Sequence, residues 1–186
     1  MKEKIVCPLC ARYATLHHSD PAHYECKCGW DSHDMSLDIS YSDNLTAPLS
    51  NLFPHKFTID GIHCMSMESF IQSLREKDPD LQKSICEDYS GLMAYKMRLS
   101  LRDWRGDKTV YWRGKEIHRF SPEYTELITR AYDALFEQNI LFRTVIERRK
   151  RFHLIHSKGH DDPNETLLTE MEYRCQLIRL TDNFLK

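Results

Sequence analysis

Ser66-Met67-Glu68-Ser69-Phe70-Ile71-Gln72-Ser73-Leu74-Arg75 is the stretch on which the fold turns. Met67, Phe70, Ile71 and Leu74 recur at i, i+3, i+4 and i+7, the period of a helix with one apolar face. Ser66 stands where an N-cap hydroxyl accepts from the orphan amides of the first turn. Glu68, Gln72 and Arg75 fall at i, i+4 and i+7, so they form a polar stripe beside the apolar one. A carboxylate at the margin of a buried face is well placed at a cleft edge. Taken alone, the same stripe is also an ordinary solvated helix flank carrying an ion pair.

Working outward, Asp78-Pro79 restarts a helix through about 86, and a short helix is predicted over about 90–97. Thr109-Val110-Tyr111-Trp112-Arg113-Gly114-Lys115-Glu116-Ile117 reads as a strand and turn, with Gly114 as the punctuation. Ser121 caps the longest helix, Pro122 takes its first position, and Tyr124, Leu127, Ile128, Ala131, Tyr132 and Leu135 keep one apolar face for three turns. Another helix is predicted over about 140–149, and Phe152-His153-Leu154-Ile155-His156 alternates like a short strand. Thr169-Glu170-Met171-Glu172 is a capping box that opens a last helix. Strands interleaved with dominant helices make the expected class α+β, mainly helical.

The first 45 residues read differently. They are rich in Cys, His, Asp and Ser and poor in aliphatic residues, so they need a staple to fold. Cys7-Pro8-Leu9-Cys10 and Cys26-Lys27-Cys28-Gly29 form two knuckles whose intervening residues span a hairpin. Four thiolates at this spacing surround one tetrahedral Zn2+, here a structural metal with no position left for a reactive water. The expected organisation is therefore a zinc ribbon over 1–45 and a second domain over 46–186. His17, His18, His23 and His33 read as loop histidines, although any one could replace a thiolate, and Trp30 reads as a cover for the module. Cys64, Cys86 and Cys175 read as small buried hydrophobes.

Composition bounds the function. Of 186 residues 41% are hydrophobic, enough for a core, and 26 basic against 28 acidic side chains leave a formal charge of -2. No net positive field therefore attracts nucleic acid over the whole surface, though a local basic cleft is allowed. No segment approaches a signal peptide or a membrane span, and cysteines grouped for metal suit a reducing compartment. The expected location is the cytoplasm, without a membrane partner.

From Pro48 to about Leu180 the sequence resembles the NADAR, or YbiA-like, family. Leu49-Ser50-Asn51-Leu52-Phe53-Pro54 is similar to its opening L-S-N-x-x-P. Phe57-Thr58-Ile59-Asp60-Gly61 followed by Ser66 to Gln72 is similar to its F-x-x-D-G and S-x-E-x-x-x-Q segments. Ala94-Tyr95-Lys96-Met97-Arg98 and Leu101-Arg102-Asp103-Trp104 are similar to its A-x-x-x-R and R-x-D-W segments. One piece departs: many members carry a late W-G-x-G, where this chain has His156-Ser157-Lys158-Gly159-His160-Asp161, which implies a distinct subfamily and leaves the substrate open.

The resemblance implies an N-glycosidase that acts as an ADP-ribosyl glycohydrolase on an ADP-ribosylated base, in nucleic acid or in a nucleotide. It implies Glu68 as the catalytic carboxylate, which suits a ribosyl cation-like transition state. Trp104 is a candidate stacking ring with Asp103 fixing its turn, and Lys96, Arg98 and Arg102 are candidate phosphate holders. Asn51, Phe53, Gln72 and His156 are further candidates for the pocket lining. The second reading is a non-catalytic module that binds ADP-ribose or nucleic acid, as in a toxin–antitoxin or phage-defence system.

Overall fold

The computed structural model describes residues 7, 12–18, 23–27, 32, 36–39, 47–149, 153–156 and 160–182. Helices dominate, and the strands come in pairs. In chain order they are β1 (Thr15–His17), β2 (His23–Glu25), β3 (Ser36–Asp38), a 3-10 turn (Ala47–Leu49), β4 (Phe57–Ile59), β5 (Ile62–Cys64), α1 (Met67–Ser73), α2 (Pro79–Asp88) and α3 (Gly91–Met97). There follow β6 (Thr109–Trp112), β7 (Lys115–His118), α4 (Pro122–Gln138), α5 (Ile140–Arg149), β8 (His153–Ile155) and α6 (Glu170–Asp182). The mixed α and β class expected from the sequence is the one observed.

Five of the six helices among the described residues start at a capping side chain. Ser66 accepts from the Ser69 amide at 3.0 Å while Ser69 Oγ accepts from the Ser66 amide at 3.0 Å, so α1 opens on a reciprocal box. Thr169 and Glu172 do the same for α6, at 3.0 and 2.8 Å. The six apolar positions read along α4, from Tyr124 to Leu135, are all buried.

Two tight hairpins complete the frame. β4 and β5 pair antiparallel with Ile59 opposite Ile62, and Asp60 and Gly61 between them have φ of 49° and 81°. β6 and β7 repeat the device through Arg113 and Gly114, at 52° and 78°. Two successive positive φ values make the turn whose twist matches the strands, and glycine takes its second position without strain. The sequence reading used 57–61 only as a motif; the alternation that makes 57–64 a hairpin, Phe57, Ile59, Ile62 and Cys64 buried between exposed Thr58 and His63, is plain in the structure.

The core lies between α1, α4 and these hairpins. Phe70 from α1 packs edge-on to Phe57 at 6.3 Å and to Trp112 at 5.0 Å between ring centroids. Burying one such ring stabilises by about 1.5–3 kcal/mol. Buried Gln82 staples α2 to the core: its Nε2 donates to the carbonyls of Ser73 at 3.1 Å and Tyr111 at 2.7 Å, and its Oε1 accepts from the Arg113 amide at 2.8 Å.

At the N-terminal end, β1 and β2 form the antiparallel hairpin expected between the two knuckles, in the register Leu16 opposite Tyr24. Cys7 and Cys26 are buried, at 1% and 8% exposure. Cys10 and Cys28 lie outside the described residues, as do Trp30 and His33. No group of three or more His, Cys, Asp or Glu suited to a metal occurs among the described residues, which hold two of the four expected thiolates. His17 and His23 stack at 5.5 Å, and both approach Glu25, at 3.3 and 2.9 Å. β3 pairs in parallel with β8, and Ile39 belongs to the main core. Residues 40–46, where the boundary between the two expected domains falls, lie outside the described residues. No helix among the described residues is long and apolar enough to cross a membrane.

Candidate active site

A cavity of about 660 Å³ opens beside α1, a volume suited to a nucleotide-sized ligand. α1 contributes Glu68, Ile71, Gln72 and Arg75 to its wall, and Tyr95 and Arg98 come from α3. The 50–52 turn, Trp104, Arg105, His156, His160 and the stretch from Glu165 to Tyr173 close the remaining sides.

The polar stripe of α1 is a connected chain. Gln72 Nε2 donates to Glu68 Oε1 at 3.0 Å, and Arg75 Nη1 donates to Gln72 Oε1 at 3.4 Å. Arg75 is buried and gives its other donors to backbone: Nη1 to the carbonyl of Arg98, Nη2 to Leu101 at 3.3 Å and Nε to Arg102 at 2.9 Å. It therefore braces the loop behind α3 and makes no ion pair with Glu68 among the described residues.

Glu68 has a neutral hydrogen-bond partner in Gln72. Burial pushes its carboxyl above the ordinary carboxylate range, while the Gln72 hydrogen bond and the positive charge of Arg98 act in the opposite direction. Arg98 itself lies 3.9 Å over the ring of Tyr95 and donates to the Tyr95 carbonyl at 2.9 Å. The start of α1 is tied to the 50–52 turn, because the Glu68 amide donates to the Asn51 carbonyl at 2.8 Å. From the core side, Tyr132 donates its hydroxyl proton to Asn51 Oδ1 at 2.8 Å. Gly91, at the start of α3, lies so close to this turn that an added Cβ would come within 2.5 Å of the Leu52 carbonyl oxygen.

The far wall is anchored across the chain. Arg105 pairs with Glu165 at 3.0 Å and with Asp103 at 3.1 Å. Arg119, 2% exposed, grips both oxygens of Glu172 at 2.9 and 2.6 Å, which fixes the first turn of α6. His156 donates its amide to Glu170 at 3.3 Å and sets its ring edge against Tyr173 at 5.9 Å.

Of the ten cavity residues expected from the sequence, the structure brings Glu68, Asn51, Gln72, Arg98, Trp104 and His156 to the cavity wall. The other four are elsewhere. Phe53 packs its ring on His55 at 4.6 Å. Lys96 is exposed on α3. Arg102 binds both oxygens of Asp107 at 3.0 and 2.9 Å, and Asp103 holds Arg105. Their guanidinium and carboxylate are thus engaged in fixing the 102–109 loop. Trp104 is 2% exposed and serves as wall. Sequence reading passed over Tyr95, Arg105, His160, Glu165 and Tyr173. His160 lay in the departing His156 to Asp161 stretch, whereas nothing local marks Glu165 as a neighbour of Arg105.

Known proteins bear on this architecture at two levels. The solved structure of the E. coli protein YbiA superposes with a TM-score of 0.58, over 84% of this chain and 89% of that one, at 14% sequence identity. A YbiA-like fold, the one that the NADAR resemblance implied, is therefore shown. A 17.1 kDa protein encoded in the Gp30-rIII intergenic region of Enterobacteria phage T4 is 33% identical over 136 residues, which is 73% of this chain and 89% of that protein. The model of the family described as bacteriophage protein GP30.3 matches residues 44–182, a span that holds every residue of the cavity wall. On that match and that identity, this chain belongs to the bacteriophage GP30.3 family.

Proposed function

We propose that the chain is an N-glycosyl hydrolase that cleaves the bond between a ribose and a base, in an ADP-ribosylated base or a related nucleotide. The observation that carries this reading is Glu68: a carboxylate on the wall of a nucleotide-sized cavity, bonded to neutral Gln72, with the Arg98 charge nearby. As the C–N bond breaks, its electrons leave with the base nitrogen, which takes up a proton from solvent. Positive charge develops on the anomeric carbon and the ionised Glu68 stabilises it. Water then bonds to that carbon and gives its proton to the same carboxylate, which restores the enzyme after proton release. Arg98, lying over an aromatic ring and without a carboxylate in ion-pair range among the described residues, is the group that would meet a substrate phosphate.

The test is release of free base from ADP-ribosylated DNA, ADP-ribose conjugates, NAD and ribosylated riboflavin-pathway intermediates, run with wild type and Glu68→Gln. Base release by wild type and loss in the variant supports the reading. Equal release by both removes Glu68 from the chemistry, and binding without release leaves an ADP-ribose module.

The N-terminal segment carries a separate proposal, one structural zinc held by Cys7, Cys10, Cys26 and Cys28. Its support is the knuckle spacing, the hairpin between the knuckles and the burial of Cys7 and Cys26 in a segment with few aliphatic residues. Metal analysis of protein prepared without chelator should find one zinc per chain. Zinc-free protein with an ordered N-terminal segment would end this proposal.

A further inference from the structure

Asn51 is held at two points in the cavity wall. Its carbonyl accepts from the Glu68 amide at 2.8 Å, and its side-chain Oδ1 accepts from the Tyr132 hydroxyl at 2.8 Å. Tyr132 is fully buried in the core, on the apolar face of α4, where a phenol proton needs an acceptor. Asn51 Oδ1 is that acceptor. An amide with its oxygen so engaged presents its NH2 as the remaining polar group. The flipped amide would set NH2 against the phenol and leave the phenol proton without an acceptor, at a cost of about 1–3 kcal/mol. Tyr132 therefore determines which end of Asn51 the cavity meets, although its own ring lies behind the wall.

We propose that the Asn51 amide, oriented by Tyr132 as a positioning residue, donates to the hydroxyl on the carbon next to the anomeric carbon and so makes the site specific for ribose over 2-deoxyribose. This rests on the hydrolase reading, which sets the anomeric carbon against Glu68. The carbon bonded to it carries the first hydroxyl of the sugar, and Asn51 is the residue tied to the backbone of Glu68 itself. A hydroxyl accepts from an amide and donates to a carboxylate at once, which suits a position between the two. A 2-deoxy sugar offers the amide no acceptor and leaves a desolvated donor unpaired.

The experiment is calorimetric binding of two probes, ADP-ribose and the analogue lacking that hydroxyl on the terminal ribose. Wild type should prefer ADP-ribose by roughly three- to ten-fold, the effect of one hydrogen bond. In Tyr132→Phe and in Asn51→Ala the preference should fall to about one, and the double variant should add nothing further. If Tyr132 only supports the fold, Tyr132→Phe weakens both probes alike and the preference survives; that overturns the proposal. Equal binding of the probes by wild type, or binding of neither, overturns it too. Base release is read separately: retained preference without release sinks the hydrolase reading and with it the placing of the anomeric carbon against Glu68, while the selection of ribose by Tyr132-oriented Asn51 stands.

Discussion

Glu68 and Glu172 occupy comparable places, each in the first turn of a helix and each partly buried. Their surroundings differ in the donors within reach. Arg119 closes on both oxygens of Glu172, and Thr169 adds its backbone amide at 2.8 Å. Burial alone would raise the Glu172 carboxyl, but these donors outweigh it and hold it below the ordinary range. Around Glu68 the same burial prevails, because Gln72 is neutral and Arg98 acts only at a distance. The lesson is that position on a helix does not separate a structural carboxylate from a reactive one. The nearest donors do.

The strongest way to break the comparison is Glu68→Gln, which keeps shape and hydrogen bonding while removing charge. If the carboxylate contributes about 3–4 kcal/mol at the transition state, turnover falls by roughly two to three orders of magnitude with little change in ligand affinity. The companion variant is Arg119→Met. It should leave base release intact at low temperature and lower unfolding stability by about 2 kcal/mol, since Glu172 is partly exposed and can rehydrate when its partner is removed. Urea titration measures that loss. Its pH dependence follows from the depressed Glu172 carboxyl. The contribution is present above the ordinary carboxylate value and fades as pH falls through the lower folded value, so wild type and Arg119→Met converge in acid.

The smallest expected effect has the opposite sign. Because the folded-state Glu68 carboxyl is raised, the fold binds its proton more tightly than the unfolded chain does. Stability from this group declines as pH rises from the ordinary range through the folded value. Glu68→Gln should therefore melt at a higher temperature than wild type near neutral pH, with the gap narrowing in acid. A variant that melts lower at every pH would mean that the carboxylate supports the fold and is not held at its expense.

Much of this was legible in the sequence because it is local. Ser66, Asp78, Ser90 and Ser121 cap the helices expected of them, and the Thr169 to Glu172 box opens α6. Glu68 and Gln72 were readable as neighbours because four residues make one helical turn. The far wall was not. Arg105 meets Glu165 across 60 residues, and Tyr132 meets Asn51 across 81, pairings that no period or cap signals. A motif position did not reveal that the Arg102 guanidinium is engaged by Asp107 in its own loop, whereas Asp103 does fix the turn at Trp104, accepting from the Arg105 amide at 3.1 Å. Phe53 and Lys96 illustrate the same limit, lying next to wall residues without facing the cavity.

Gly91 has a consequence for how this mouth can evolve. Where α3 meets the 50–52 turn, main chain abuts main chain with no room for a methyl group. The spacing between α3 and this turn, both of which give residues to the cavity wall, is therefore set by backbone thickness. Side chains around the rim, such as Leu52 and Tyr95, can be exchanged to suit different ligands while that spacing keeps its gauge. A replacement at position 91 would act as a wedge between α3 and the turn.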